Sequence, residues 1–399
     1  MCQYIGTHLR LLHSVCCADG GISVVDTTKR TPFFSRHLAA GAKMFQFAGW
    51  EMPVQYTGIM EEHNAVRTSA GLFDVSHIGN LIIRGNGAKE FLRRMLTNNI
   101  DLAVPGKGIY AHILRENGTI IDDTIVYNLG ADGYLLAPNA STKDTVLSWL
   151  NANLDDGVDI IDVSSRVACL AIQGPKAVEI AQRITGVDVS GMKRFGIAAA
   201  PVGSEKHGFL TDIMASGKGD GTVCLFARTG YTGEDGFEIY VEWDAAGILW
   251  DSLVSAGGNE LTLAGFGCRD TLRLEKGMLL SGTDFDGRQT SLQTGPPWVI
   301  KWDHEFIGKA AMEAQKESGA YDVLAALETD GKNIPRHGYD ILKDGKKIGY
   351  VTSGTLSPML KKGIALGYVP LSMSSVGTEL DIDVRGRSAK AMIVKLPFV

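Results

Sequence analysis

Long apolar runs and an excess of positive charge are both missing from this sequence of 399 residues. No apolar stretch approaches the about 20 residues that a membrane-spanning helix requires, so we expect no membrane segment. The formal net charge of −6 provides no electrostatic footprint for nucleic acid. Apolar residues make up 45% and charged residues 21%, which is typical of a globular protein. The length is enough for two or three domains.

Cysteine is scarce as well, and the six that occur are not arranged as metal ligands. None belongs to a C-x-x-C pair, and no cysteine and histidine cluster has zinc spacing. We therefore expect reduced, mostly structural thiols and no bound metal. The cysteines are Cys2, Cys16, Cys17, Cys169, Cys224 and Cys268.

Acidic residues are absent before Asp19. In this stretch His8, Arg10 and His13 stand among leucines. An acid-poor, amphipathic beginning is typical of a mitochondrial transit peptide. The sequence therefore predicts a transit peptide over residues 1–28 and a location in the mitochondrial matrix. The alternative is a disordered tail or a start codon placed too early, in which case the protein would be cytoplasmic.

Helical and strand patterns alternate along the body of the chain and then give way to strands alone. The alternation runs over residues 31–300, which predicts an α+β core. After about residue 320, short strands separated by glycine turns predict a β-barrel or jelly-roll-like domain over residues 318–399. Its strands are predicted over residues 323–327, 347–352, 364–369, 379–384 and 390–394.

A three-stranded meander is the clearest local pattern in the core. Its strands are predicted over residues 109–114, 120–129 and 134–137. The first two are joined by Glu116-Asn117-Gly118, a strong hairpin turn. Two further local predictions are one continuous strand over residues 73–84 and a helix that Ser141 caps and that ends at Leu150.

Two adjacent carboxylates, Asp122 and Asp123, interrupt the β-branched middle strand of this meander. Side chains alternate along a strand, so the two are expected on opposite faces. A buried carboxylate needs a partner or a function. Tyr110 on the preceding strand and Asn139 after the following strand could face the same pocket. The alternative is a solvated strand edge, with Tyr110 in the core and Asn139 only beginning a turn.

A glycine-rich hairpin covers residues 228–238, with three glycines in seven positions. Glu238 enters the strand that follows. There its carboxylate could accept two hydrogen bonds from a flat N–H/NH₂ edge such as that of a pterin or guanine. We do not expect a phosphate loop, because Glu234 and Asp235 would repel the anion and no Lys-Ser/Thr pair follows. A plain hairpin with surface acids is the alternative.

The helical segment 268–275 carries two arginines on one face. Arg269 and Arg273 are four residues apart and so are neighbours on the helix surface. A guanidinium fork can hold a carboxylate or a carbonyl edge. The alternative is an ordinary helix with surface ion pairs.

These segments occur in one order that resembles a known family, the aminomethyltransferases of the glycine cleavage system, or T-proteins. The resemblance covers nearly all of residues 31–399, and Arg-Thr-Gly-Tyr-Thr-Gly-Glu-Asp-Gly is its most specific part. The other motifs that carry it are Phe47-Ala48-Gly49-Trp50, Phe73-Asp74-Val75-Ser76-His77, Ile121-Asp122-Asp123, Gln173-Gly174-Pro175, Arg269-Asp270-Thr271-Leu272-Arg273-Leu274-Glu275, Val351-Thr352-Ser353-Gly354 and Gly367-Tyr368-Val369-Pro370.

The resemblance implies a three-domain cloverleaf around a central tetrahydrofolate channel, with two interleaved α+β domains in the core. It also implies transfer of an aminomethyl carbon from the lipoyl arm of H-protein to tetrahydrofolate as cosubstrate, with release of ammonia. Asp123 matches the family's essential aspartate, Glu238 its pterin-binding glutamate and Arg269 its folate-contacting arginine. The remaining matches are positions that line the folate channel: Tyr110, Asn139 and Tyr231.

One stretch departs from the family pattern. Relatives usually carry Thr-Pro-x-Glu-Ala where residues 290–294 read Thr-Ser-Leu-Gln-Thr, so serine stands in place of proline. Three other functions stay open: a folate-dependent demethylase, a folate protein of iron–sulfur maintenance and a non-catalytic folate-binding protein. The second usually carries Lys-Gly-Cys, whereas this chain has Lys276-Gly277-Met278.

Overall fold

The computed structural model describes residues 28–203, 221–331 and 333–399. Apart from Thr28, the predicted transit peptide lies outside these residues. The fold is mixed α+β and ends in a closed barrel, which confirms the predicted class. Within the described ranges, no helix is both long and apolar enough to cross a membrane.

The helices are α1 (Phe34–Ala39), α2 (Ile59–Thr68), α3 (Ala88–Met95), α4 (Lys143–Ala152), α5 (Ala177–Arg183), α6 (Ala246–Gly257), α7 (Phe266–Glu275), α8 (Ser291–Thr294) and α9 (Lys309–Ser318). The strands are β1 (Lys29–Arg30), β2 (Lys43–Phe47), β3 (Trp50–Gln55), β4 (Ala70–Asp74), β5 (Leu81–Arg84), β6 (Lys107–Leu114), β7 (Ile120–Asn128), β8 (Tyr134–Pro138), β9 (Asp159–Asp162), β10 (Val167–Gln173), β11 (Ile197–Val202), β12 (Thr222–Ala227), β13 (Gly236–Glu242), β14 (Leu261–Leu263), β15 (Asp322–Thr329), β16 (Asp340–Lys343), β17 (Lys346–Leu356), β18 (Gly363–Pro370), β19 (Glu379–Asp383) and β20 (Ser388–Val394).

A six-stranded sheet with the order β11-β12-β13-β10-β4-β14 forms one half of the core. Its central strand β10 is buried at every position, because both faces of the sheet are covered. One face packs against α5 and α6, where Leu249 and Trp250 lie. The other face packs against α2, α7 and side chains of a second sheet, among them Tyr127.

This second, five-stranded sheet has the order β6-β7-β8-β5-β9 and contains the predicted meander. The hairpin turn between β6 and β7 is confirmed, with Gly118 at a φ of 81° that favours glycine. Helices α3 and α4 cover the face turned away from the first sheet, through Phe91 and Leu150. Asp123 is paired with His112 across β6 and β7.

Two local predictions are wrong. The predicted strand over 73–84 is two strands in different sheets, because the Asp74 carboxylate accepts the Ser76 amide at 2.9 Å and turns the chain after β4. Ser141 does not cap α4, which begins after Thr142 without a side-chain cap. The Asn139 carbonyl instead accepts the amides of Thr142 and Lys143.

The C-terminal strands close into a barrel in the order β15-β18-β17-β16-β19-β20. The prediction missed β16, which has four residues and completes the ring between β17 and β19. A strand of this length is easily overlooked in the sequence, because turn residues flank it on both sides and only a short apolar segment remains.

Helix α7 ties this barrel to the core through buried charges. The Arg273 guanidinium lies 2.7 Å from Asp284 and donates to Ser353 of β17 at 2.8 Å. At the end of the helix, Glu275 accepts the Ser357 hydroxyl at 2.6 Å. Arg67 of α2 pairs with the same carboxylate at 2.8 Å. The position of α7 is therefore set by contacts on both of its sides.

Arg273→Met should lower the free energy of unfolding by about 3–5 kcal/mol, because it leaves the Asp284 carboxylate buried without its cation. Urea unfolding measures the effect. Lys347→Met is the control, since its ion pair with Asp340 at 2.6 Å is exposed and should contribute less than about 1 kcal/mol. Equal losses in the two variants would contradict the assigned role of Arg273.

Candidate active site

Strand β7 presents the Asp123 carboxylate to two hydrogen-bond donors. Tyr110 of β6 donates its hydroxyl to Oδ2 at 2.8 Å, and the Asn139 side chain donates to Oδ1 at 2.7 Å. Burial raises the pKa of Asp123, and these two hydrogen bonds oppose the rise. Three of the predicted site residues are therefore in direct contact.

Asp122 is fully buried and is hydrogen-bonded to the same residue, Asn139. Its carboxylate accepts the backbone amide of Asn139 at 2.9 Å and the side-chain amide at 2.9 Å. Tyr110 is bonded to Asp123 and Ser281 to Asp122, as the alternation of side chains predicts, but Asn139 reaches both carboxylates. Burial, with the charge of Asp123, raises the pKa of Asp122 to about 7. A shared amide thus couples the two acids.

Glu238 lies at the centre of a second buried group. The Thr229 hydroxyl donates to its Oε2 at 2.7 Å, and Tyr127 Oη lies 2.7 Å from the same hydroxyl. Tyr127 is four residues beyond Asp123 and on the same face of β7, about 13 Å away at the rise of a strand. The described residues provide no hydrogen-bond donor for the second oxygen of Glu238. That oxygen is available to a ligand.

Arg269 is a cation without a full set of partners. Its guanidinium lies over the Tyr231 ring at 4.7 Å, and its buried Nη1 has no hydrogen-bond partner among the described residues. Burial lowers the pKa of Arg269. His77 lies nearby, where burial and the charge of Arg269 lower its pKa to about 3, so its ring is neutral. An unpaired buried N–H group indicates a place for an acceptor from a ligand.

Tyr231 lies under the influence of both this arginine and Asp123, since burial and the charge of Asp123 raise the pKa of its hydroxyl. Tyr231 donates its hydroxyl to the Leu279 carbonyl. The charges of Arg273 and Asp123 both act on the pKa of Tyr231, which burial raises. The site therefore draws on β7, on the hairpin between β12 and β13, and on helix α7.

Sequence reasoning quoted Gln173 in a motif but assigned it no role. Its side-chain amide group donates to the Thr229 carbonyl at 3.0 Å, and its oxygen accepts the Thr232 hydroxyl at 2.8 Å, so it holds the first half of the glycine-rich connection between β12 and β13. A Cβ on Gly230 would lie 1.8 Å from Gln173 Oε1, which requires glycine there. A lone amide in an otherwise apolar strand was the available signal. The other residues that sequence reasoning missed are Tyr127, Thr229, His112 and Ser291.

In the part of the chain that the structure describes, no three His, Cys, Asp or Glu side chains are grouped as a metal site. The described cysteines Cys169, Cys224 and Cys268 are buried free thiols. Burial raises the pKa of each. These thiols therefore stay protonated and belong to the packed interior.

Comparisons with known proteins identify the family of the chain. A family model described as the GCVT N-terminal domain matches residues 33–304, and the glycine cleavage T-protein C-terminal barrel domain matches residues 323–399. The aminomethyltransferase of Geobacillus kaustophilus is 40% identical over 93% of this chain and 98% of its own. That of Bacillus subtilis is 40% identical over 93% and 99%.

A solved structure resembles the whole fold. The crystal structure of glycine cleavage system aminomethyltransferase T from Bartonella henselae superposes with a TM-score of 0.83 at 29% identity, over 93% of this chain and 98% of that one. The family match and the fold thus define an enzyme that transfers an aminomethyl group. The chain belongs to the glycine cleavage T-protein family, which confirms the predicted resemblance.

The raised pKa of Asp122 has a consequence for stability. Its pKa in the fold, about 7, lies above the value of about 4 in an unfolded chain, so the folded protein binds more protons between those values. The free energy of unfolding should therefore decrease as pH rises through that window, by at most about 1.4 kcal/mol per pH unit for this group.

Asp122→Asn removes the titration. The free energy of unfolding of the variant, minus that of the wild type, should rise between about pH 4 and about pH 7. Urea unfolding at several pH values measures this difference, with the exposed Asp156→Asn as the control. If the difference in free energy of unfolding between Asp122→Asn and the wild type does not change with pH, the fold does not raise the pKa of Asp122.

Proposed function

We propose that the aminomethyl group arrives on the lipoyl arm of H-protein and that tetrahydrofolate accepts its carbon. The products are ammonia, 5,10-methylenetetrahydrofolate and a dihydrolipoyl arm. One observation carries the proposal: the same face of β7 presents the Asp123 carboxylate and, four residues on, the Tyr127–Thr229–Glu238 chain. A reacting group and a recognition group are thereby supported by one rigid strand.

In this proposal Glu238 binds the pterin. Its free oxygen, with the one bonded to Thr229, matches the paired N–H donors on the pterin edge. Arg269 offers its unpaired Nη1 to a carbonyl or carboxylate of the folate. The ring of Tyr231, which lies over this guanidinium, provides an apolar wall. Tyr110 and Asn139 hold the acidic side of the pocket through their bonds to Asp123.

The chemistry suits a positioned carboxylate. A folate nitrogen is the nucleophile and has its own lone pair, so the reaction needs no covalent bond to the protein. The protein brings this nitrogen and the aminomethyl carbon together, an effect worth several kcal/mol. As the amine departs, the carbon becomes cationic, and the Asp123 carboxylate stabilises that charge and relays a proton.

Turnover separates this function from the alternatives. The protein is incubated with aminomethylated H-protein and tetrahydrofolate, and released ammonia is measured. A demethylase or a non-catalytic folate-binding protein would release none, although each would bind folate. Ammonia released only when both substrates are present supports the proposed reaction.

Location and domain boundaries are further parts of the proposal. We propose residues 1–28 as a mitochondrial transit peptide, on composition alone, since the relatives described above are bacterial. Import of the full chain but not of residues 29–399 into isolated mitochondria would support it. We propose residues 31–300 and 318–399 as the core and the C-terminal domain, with the core divided between its two larger sheets.

Glu238→Gln should weaken tetrahydrofolate binding by about 10- to 100-fold. The amide replaces one acceptor by a donor that faces the N–H groups of the pterin, a mismatch of about 1–3 kcal/mol when buried. Calorimetry measures the dissociation constant. Glu242→Gln, near the other end of the same strand, is the matched control and should bind normally. Unchanged affinity in Glu238→Gln would place the pterin elsewhere.

Asp123→Asn should reduce kcat for ammonia release by about 100-fold or more, because the side chain keeps its size but loses the charge. Folate affinity should change much less, since Glu238 holds the pterin. Asp122→Asn is the comparison and should affect mainly stability. An active Asp123→Asn together with an inactive Asp122→Asn would reverse the assignment of the two aspartates.

A further inference from the structure

A line of hydrogen-bonding side chains, half-buried at Tyr110, leads from helix α8 to Asp123. Ser291 Oγ lies 2.8 Å from His112 Nδ1, and His112 Nε2 lies 3.3 Å from Tyr110 Oη. Tyr110 then donates to Asp123 Oδ2 at 2.8 Å. Ser291 and His112 both have no exposed surface. The buried polar atoms of Ser291 and His112 therefore find their hydrogen-bond partners in neighbouring side chains of this line.

The direction of these hydrogen bonds follows from the number of protons. Tyr110 has one hydroxyl proton and donates it to Asp123, so it can only accept from His112. His112 must then carry its proton on Nε2. A neutral ring has one such proton, so Nδ1 is an acceptor and Ser291 must donate to it.

The surroundings keep the His112 ring neutral. Burial lowers its pKa to about 3, and no charged group opposes this. Asp123, in contrast, is surrounded by titratable groups on several elements. They are Asp122 on the same strand, Tyr110 on β6, Tyr231 in the hairpin before β13 and Asp284 after α7.

We propose that Ser291 locks His112 in the Nε2–H tautomer, and that His112 thereby acts as a positioning residue that commits the Tyr110 proton to Asp123. All donors in the line point toward the carboxylate, and each hydrogen bond polarises the next. The effect on turnover rests on the proposed function.

Three variants test the line in the full-length protein. His112→Leu removes the donor to Tyr110 and should lower kcat for ammonia release about tenfold, while KM for tetrahydrofolate changes little. His112→Gln keeps an N–H group near the position of Nε2 and should restore most of kcat. Ser291→Ala removes the hydroxyl that selects the tautomer and should give an intermediate loss.

The pH profile gives a readout that a merely structural role would not move. The hydrogen bond from Tyr110 to the ionised carboxylate lowers the pKa of Asp123. His112→Leu leaves that bond in place but removes the donor that polarises it, so the acidic limb of the kcat profile should shift to higher pH. In a Tyr110→Phe background, His112→Leu should have no further effect. An unshifted limb in His112→Leu, or an equal further loss in the Tyr110→Phe background, would overturn the proposal.

NMR decides the question without turnover. In histidine-labelled wild type, the ring of His112 should be neutral and unprotonated on Nδ1 from about pH 5 to about pH 8. The carboxyl titration of labelled Asp123 should move upward in Ser291→Ala, and the conservative Ser291→Thr should reverse that shift. An Nδ1–H tautomer, or an Asp123 titration that Ser291→Ala leaves in place, would overturn the proposal. Wild type that releases no ammonia would instead refute the proposed function and leave the NMR results to decide the positioning.

Discussion

The buried ion pair between Arg273 and Asp284 is the contact on which the geometry of the site depends. Asp284 also accepts the hydroxyls of Thr352 and Ser353, at 2.6 and 2.7 Å, so one carboxylate joins α7 to the barrel. Arg269 lies one helical turn before Arg273 and moves with it. Arg273 or Asp284 would be costly to bury without its partner, so the core and the C-terminal barrel must dock together.

Strand β7 transmits that arrangement to the reacting groups. Its face toward the six-stranded sheet carries Asp123 at one end and Tyr127 further along, and a strand held on both sides is stiff. Tyr127 reaches Glu238 through Thr229, across the interface between the two sheets. The packing that stabilises the core thus also sets the separation between the carboxylate and the second recognition group.

Much of the fold was predictable because local signals agreed with it. Alternating β-branched residues and the turn at Gly118 were sufficient for the meander, and glycine-separated strands indicated the barrel. The failures have a common cause. After Asp74 and before α4, backbone amides donate hydrogen bonds to the Asp74 carboxylate and to the Asn139 carbonyl. The spacing of apolar residues carries no information about such local hydrogen bonds. The four-residue strand β16 was too short for any periodic pattern.

The identities of the site residues, and that Asp122 and Asp123 alternate along one strand, follow from the sequence and its family resemblance alone. Only the tertiary structure decided that Asn139 bonds both acids, because the residue comes from the end of another strand. The same holds for His112 and Ser291, which are 179 positions apart in the chain and 2.8 Å apart in space. Hydrogen bonds between distant segments depend on the packing of whole sheets, and no local pattern in the sequence encodes that packing.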